Sequence, residues 1–325
     1  MQSIAICNAI DCIDKQSIAL GVPMTTAAGI IDKLEDVTPT VLRAMSGADN
    51  LRLQRVMEAF VRHMHAFAQE VKLTEAEYDL GIDFLNRIGQ ATHDSHNEGI
   101  LFADAIGFST LVCLLNNGNA GATETAAALL GPFWRANSPR TANGGSIVRS
   151  ATPGPELFVN CDVVDIAGNP IAGAEVDVWQ SSPVGLYENQ DDTQADMNLR
   201  GKFTTDAAGR FSFRSVKPAG YPVPTDGPVG ELLRAQNRHP YRPAHIHFLG
   251  FKPGYKTLIT QVFVDDDEHL ETDVVFGVTR ANVGDYRRTD EGTPPAPGVK
   301  APWYTLTYRF VMEAGEAIFP KPPIK

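Results

Sequence analysis

Leu157-Phe-Val-Asn-Cys-Asp-Val-Val-Asp165 decides the fold class. Leu157, Val159, Cys161 and Val163 alternate with residues that face the other way, the two-residue period of a strand packed on one side. Asp165-Ile-Ala-Gly-Asn-Pro170 supplies a turn, and Ala174 to Trp179 reads as the next strand. Lys202 to Thr205 and Arg210 to Arg214 flank Asp206-Ala-Ala-Gly209, which has the length of a hairpin loop. Leu258 to Val264 and Tyr304 to Met312 add two strands with little polar interruption. Short strands with Gly/Pro turns and no helical period between them predict an antiparallel β-sandwich. Two long, proline-rich stretches, 181–200 and 217–243, interrupt it, and loops of that length inside a compact domain usually carry function.

Upstream of Gly131 the period changes. Leu53, Val56, Met57, Phe60, Met64, Phe67 and Val71 recur every three or four residues, which is helical spacing. Thr74 with Glu77 and Ser95 with Glu98 have capping-box spacing, so two further helices are expected to start there. Gly99 to Leu115 reads as one mostly apolar helix, ended by Gly118, Asn119 and Gly121. The expectation is an α+β chain. Residues 1–130 form a helical region and residues 131–325 a β-sandwich.

The 325 residues carry 28 Lys and Arg against 39 Asp and Glu, a formal charge of −11 with no dense basic cluster. This balance argues against a nucleic-acid groove or an anionic-membrane patch as the main function. No apolar run approaches the roughly 20 residues of a membrane span. The N-terminus has no basic segment before its apolar residues, so no secretory signal is predicted. Cys7, Cys12, Cys113 and Cys161 have no CxxC spacing and form no recognisable disulfide framework. A soluble, cytoplasmic protein is expected.

The segment richest in chemistry is Arg242-Pro-Ala-His245-Ile-His247-Phe248. Residues two apart in a strand share a face, so His245 and His247 can reach one metal ion. Alone, the pair also suits two core or surface histidines. A cupin would want a glutamate shortly afterwards, and Phe248 to Thr260 contains none; a zinc hydrolase would want a third His or a carboxylate. His63, His65, His93 and His96 lie in the helical half and His269 in an acidic turn, all read as solvated. Each long loop holds a tyrosine beside turn residues, in Gly185-Leu-Tyr187-Glu-Asn189 and Ala219-Gly-Tyr221-Pro-Val-Pro224.

Tyr187, Tyr221, His245 and His247 in this order, with Arg242 before the first His and Gln261 in the following strand, closely resemble the intradiol ring-cleavage dioxygenases. The resemblance spans nearly the whole chain, including Leu129-Leu-Gly-Pro-Phe133. It implies a non-haem Fe(III) held by the two tyrosines and two histidines. Hard anionic oxygen donors favour Fe(III) over the Fe(II) of a two-His, one-carboxylate triad. A free tyrosine ionises near pH 10, so two tyrosinates at neutral pH need a strong local cation. The resemblance further implies a catecholic diol bound through both oxygens, with O₂ as co-substrate. Tyr221, matching the axial ligand, leaves the metal and helps take up a proton; Arg242 stabilises negative charge, and Gln261 hydrogen-bonds in the pocket.

Val216-Lys-Pro-Ala-Gly-Tyr-Pro-Val-Pro-Thr-Asp-Gly-Pro-Val-Gly230 and Arg238-His-Pro-Tyr-Arg-Pro-Ala-His245 look most like the hydroxyquinol 1,2-dioxygenase branch. That likeness implies cleavage of benzene-1,2,4-triol, with catechol or a chlorocatechol as the alternative substrate. It also implies a pocket lined by Leu101, Asp104, Leu129, Gly131, Pro132, Phe133, Val223, Pro224, Arg242 and Val275. Asp104 would accept a hydrogen bond from the third hydroxyl. The helical half would form a homodimer contact and, in this branch, hold a phospholipid there. The stretch Asp165 to Trp179 with Thr205 to Phe213 also resembles non-catalytic sandwich modules, a distant alternative in which the Tyr and His residues are accidental.

Overall fold

The computed structural model describes residues 29–94, 96–117 and 124–322. Cys7, Cys12, Ser95 and the predicted helix breakers Gly118, Asn119 and Gly121 lie outside them. The described helices ahead of the first strand are α1 (Val37–Met45), α2 (Leu51–Val71), α3 (Glu75–Ala91), α4 (Glu98–Ala105) and α5 (Phe108–Asn117). Asn50 caps α2, its side chain accepting from the Leu53 amide at 2.8 Å. The capping box at Thr74 forms: Glu77 accepts from the Thr74 amide at 2.9 Å, and the Glu77 amide donates to Thr74 Oγ1 at 3.3 Å. Helix α4 is capped instead by Asn97, which accepts from the Ile100 amide at 2.9 Å.

The apolar run Gly99 to Leu115 is two helices rather than one. Gly107 takes φ +72° and ends α4, and the axes of α4 and α5 differ by 79°. No single helix among the described residues is long and apolar enough to cross a membrane.

Two compact units are present, Met1–Asn86 and Arg87–Lys325. Their boundary falls inside α3, whereas the composition changes near residue 130. Helices α4 and α5 belong with the strands because Leu101 and Ala105 are buried in a cluster with Val223, Val229, Leu233, Val274 and Val275. Within the first unit the helical period produces an amphipathic α2 whose apolar residues Leu53, Val56, Met57, Phe60, Met64, Phe67 and Val71 are all exposed in the single chain.

The second unit contains β1 (Glu156–Asp165), β2 (Glu175–Gln180), β3 (Arg200–Thr204), β4 (Arg210–Val216), β5 (Tyr221–Pro222), α6 (Pro228–Ala235), β6 (Tyr241–Arg242), β7 (His245–Phe251), β8 (Leu258–Val264), β9 (Val283–Gly284), β10 (Tyr286–Thr289) and β11 (Trp303–Met312). One sheet has the order β10-β11-β1-β4 and the other β3-β2-β7-β8-β9. Alternate residues of both sheets meet in one core, with Val159, Phe213, Leu306 and Phe310 from the first and Val178, Phe203, Phe248 and Val262 from the second.

The sheets are mixed, not antiparallel throughout. β1 pairs with β11 in parallel over nine residues, Leu157 opposite Tyr304 and Asp165 opposite Met312, and β8 pairs with β9 in parallel. Alternation specifies which face of a strand is buried but is silent on the direction of its partner. The stretch 217–243 is also more ordered than a loop. It holds α6, with Pro228 at its first turn after Gly227, and the short ladder β5–β6, which sets Tyr221 opposite Arg242.

Candidate metal centre

The outer face of the five-stranded sheet carries the site. Cross-strand register puts Arg200 opposite Trp179, Trp179 opposite His247 and His247 opposite Gln261, so these four side chains form one row across β3, β2, β7 and β8. All four are buried, and the Trp179 ring stacks on His247 with centroids 4.6 Å apart and planes 9° from parallel. The segment 125–133 crosses this face. It is held by the Ala128 amide donating to the Ile259 carbonyl and by Gln261 Nε2 donating to the Leu129 carbonyl at 2.7 Å. Gly131, with φ +74°, lies so close to His247 that a Cβ there would sit 3.2 Å from its Cε1.

Four predicted ligands converge. His247 Nε2 is 3.1 Å from His245 Nε2 and 3.1 Å from the Tyr187 hydroxyl oxygen. The Tyr187 and Tyr221 rings meet edge to face with centroids 5.6 Å apart, and Tyr221 packs beside His245 with ring centroids at the same separation. Tyr187 comes from the first proline-rich stretch, at the start of a short 3₁₀ turn (Glu188–Gln190), and is stacked on Phe133 at 4.4 Å. Tyr221 comes from β5 and both histidines from β7.

Ring nitrogens show how the set is poised. His245 Nδ1 donates to the Pro243 carbonyl at 2.7 Å, which leaves its Nε2 lone pair facing the other donors. Burial, with help from the Arg242 charge, pushes His245 down to about 3, and burial also drops His247 well below its ordinary value. Burial thus favours the neutral form of both rings. Burial and the neighbouring Tyr221 push the Tyr187 phenol well above its ordinary value. Two bare imidazole nitrogens and two phenol oxygens in contact repel one another when deprotonated, and a cation bound among them resolves the conflict.

Arg242 flanks this cluster and is itself clamped. Its Nε and Nη2 donate to the two oxygens of Asp273, each at 3.2 Å, while Nη2 also donates to Gln261 Oε1 at 2.9 Å. A further N–H, on Nη1, lies 3.4 Å from His245 Nε2. Gln261 is thus a buried bridge between Arg242 and the Leu129 carbonyl. Asp273 was missed by sequence reasoning because it ends the acidic run Asp265–Asp273, where a carboxylate reads as solvated. Burial raises its carboxyl, but the Arg242 charge and hydrogen bonds outweigh this and hold it below the usual range.

Asp104 faces inward from α4. Burial raises its carboxyl, Ser109 and the Arg242 charge pull it down, and the Asp273 charge adds to the rise. Leu101, Val223 and Val275 pack in the buried cluster beside it, with Leu129 against them. Pro132 and Pro224, also predicted to line the pocket, are exposed.

A family model described as dioxygenase matches residues 129–314, and one described as catechol dioxygenase N terminus matches residues 50–124. The chain belongs to the intradiol dioxygenase family. Among its relatives is a catechol 1,2-dioxygenase of Candida albicans, 42% identical over 74% of this chain and 80% of that protein. A 6-chlorohydroxyquinol 1,2-dioxygenase of Cupriavidus pinatubonensis is 40% identical over 85% of this chain and 96% of that protein. A solved hydroxyquinol 1,2-dioxygenase from Pseudomonas putida DLL-E4 superposes with TM-score 0.80 at 37% identity, covering 86% of this chain and 98% of its own.

Enzymes of this family depend on non-haem iron. The residues present fit such an ion. Two neutral imidazole Nε2 atoms and two phenol oxygens, all buried and converging, make a nitrogen and hard-oxygen donor set of the kind iron takes.

Proposed function

We propose that this chain is a non-haem Fe(III)-dependent intradiol dioxygenase that cleaves hydroxyquinol (benzene-1,2,4-triol) with O₂ to 3-hydroxy-cis,cis-muconate, the enol of maleylacetate. Tyr187, Tyr221, His245 and His247 would hold the iron. The observation that carries the reading is their convergence beside Arg242. When bound, the ferric ion supplies the charge that keeps both phenols ionised and draws electron density from a chelated catecholic ring.

The protein's own groups do the rest. Pro243 fixes His245 in the tautomer that presents Nε2, and the Trp179 ring holds His247 flat against the sheet. Tyr221 is the less enclosed phenol, 7% exposed against 0% for Tyr187, and its hydroxyl oxygen is the one placed to take up a proton from the entering diol. Arg242, oriented by Asp273 and Gln261, stabilises the negative charge that develops on the ring. The buried cluster around Leu101, Val223 and Val275 excludes water on one side. Asp104 accepts a hydrogen bond from the third hydroxyl, a partner that plain catechol lacks.

Oxygen uptake by the iron-loaded protein, with hydroxyquinol and catechol compared at equal concentration, tests this. Uptake strongly favouring hydroxyquinol is expected, and a ratio near one or below returns the chain to a catechol preference. Removal of iron should abolish uptake together with the tyrosinate-to-iron absorption that colours the protein. The exposed apolar row on α2 supports a homodimer formed through the N-terminal helices, testable by sedimentation equilibrium. By the same family likeness a phospholipid would occupy that contact, which native mass spectrometry detects.

A further inference from the structure

We propose that Arg200 is a positioning residue of the metal centre, holding Tyr187 through Glu188 and His247 through Trp179. The proposal rests on the iron reading above and concerns a residue on the far side of the ligand set from Arg242.

Arg200 opens β3 with no exposed surface. Its Nε donates to Glu188 Oε1 at 2.6 Å, and Glu188 directly follows Tyr187. In the cross-strand row its neighbour is Trp179, whose other neighbour is His247, on which the indole stacks. One side chain therefore bonds the residue beside one ligand and stands next in the row to the support of another, and these ligands reach the centre from a loop and from the sheet.

Two further observations point beyond ordinary packing. Neither Nη1 nor Nη2 of Arg200 has a hydrogen-bond partner. A fully buried guanidinium whose two Nη groups find no acceptor leaves part of its desolvation uncompensated. The chain also accepts backbone strain to deliver it. Met197 and Leu199 both sit in the left-handed region, at φ +60° and +58°, where side-chain-bearing residues are seldom found. Between them Asn198 is buried. Its Oδ1 accepts from the Arg149 amide at 2.7 Å and its Nδ2 donates to Thr152 Oγ1 at 2.9 Å, which locks the turn that feeds Arg200 inward. Strain of this kind gathers where a side chain must be aimed.

Arg135 provides an internal control. Its Nη1 donates to the same Glu188 oxygen at 2.9 Å and to Asp196 at 2.6 Å, yet it has no place in the row that reaches His247. If Arg200 served only to neutralise Glu188, the two arginines would be interchangeable in effect.

The test compares iron-loaded wild-type protein with Arg200→Met and Arg135→Met. Iron content, the position of the tyrosinate-to-iron absorption band, and kcat and KM for hydroxyquinol are measured on each. Arg200→Met is expected to move the band and lower kcat about tenfold or more, as misaligned ligands would, with KM changed less than about twofold. Arg135→Met, which keeps the Arg200 bond to Glu188 and leaves the row to His247 untouched, should move band and kcat clearly less than Arg200→Met, and Arg200→Lys, which keeps the charge, should recover part of kcat. A wild-type band and kcat in folded Arg200→Met overturn the proposal, as does an equal band shift in Arg135→Met. Should the methionine variant not fold, Arg200→Gln serves with the same two outcomes. A wild-type chain that binds no iron overturns the metal reading itself and this proposal with it.

Discussion

Asp273 is where a single substitution should separate clamping of Arg242 from ligation. Its side chain is 4% exposed and accepts four hydrogen bonds, two from Arg242 at 3.2 Å, one from the Val275 amide at 3.3 Å and one from the Gly277 amide at 3.0 Å. Asp273→Ala leaves the Arg242 charge buried without its counter-ion, a loss of about 3–5 kcal/mol. The two orphaned amides push towards the upper end, at about 1 kcal/mol each. With roughly 2–4 °C per kcal/mol for a unit of this size, a fall in melting temperature of about 10–20 °C follows. Asp273→Asn keeps the shape and one acceptor but loses the charge. Charge-assisted bonds are about twice as strong as neutral ones, so about 2–3 kcal/mol should go.

Acidity supplies the decisive control. Arg242 holds the Asp273 carboxyl below its ordinary value despite burial. A depressed carboxylate contributes stability that is full above the unfolded-state value and is lost as pH falls through the folded one. The stability gap between wild type and Asp273→Asn should therefore be wide at pH 7 and narrow below about pH 4. Urea unfolding at pH 7 and pH 3 measures it, and hydroxyquinol turnover at pH 7 should drop about ten- to a hundredfold as Arg242 loses its orientation. An asparagine variant as stable and active as wild type at pH 7, or a gap equal at both pH values, would refute the reasoning.

Asp104→Ala should lower the preference for hydroxyquinol over catechol by about tenfold, the effect of one hydrogen bond lost to the third hydroxyl; the ratio of kcat/KM values reads it. Gly131→Ala places a methyl 3.2 Å from His247 Cε1 on a backbone at φ +74°, so iron content and the absorption band should both fall, whereas a fully loaded variant would mean the segment moves freely. Glu98 is buried, accepting from the Val229 amide at the start of α6 at 2.8 Å and meeting His96 at 2.5 Å. Glu98→Ala should cost about 2–4 kcal/mol in thermal or urea unfolding, since it removes both a helix cap and the partner of His96.

Much of this architecture is legible in the residues because it depends on short-range period. The alternation in Leu157 to Val163 and the run Leu258 to Val264 locate strands β1 and β8 to within a residue. Thr74 and Glu77 mark their helix start through a box that forms as written. Strand direction is another matter. β11 lies some 140 residues beyond β1, and nothing local to either says that they run parallel. The kink at Gly107 was hidden because an apolar run on both sides of a glycine reads as one helix.

At the site the split is similar. His245 and His247 declare themselves through a spacing of two on a strand, and the tyrosines through their place in long loops. Asp273, Glu188, Arg200 and Trp179 carry no such mark. Each is an ordinary residue type whose role arises only when register and loop closure bring it to a ligand. Sequence spacing finds groups that must share a face; it is poor at finding the groups that hold them still.

Substrate choice follows from the same distinction. Relatives named for catechol and for a chlorinated hydroxyquinol match the chain to nearly the same degree. Overall likeness therefore weighs little between the two diols, since the ligand set and the sheet row beneath it serve both. On the proposed function the difference comes from the wall the ring meets on the other side. There α4 carries the carboxyl of Asp104, three residues after Leu101, which is buried with Val223 and Val275. Burial raises that carboxyl while Arg242 pulls it down. On this proposal a ring that brings a third hydroxyl offers the carboxyl a further hydrogen-bond donor beside Ser109, and one that brings only carbon does not.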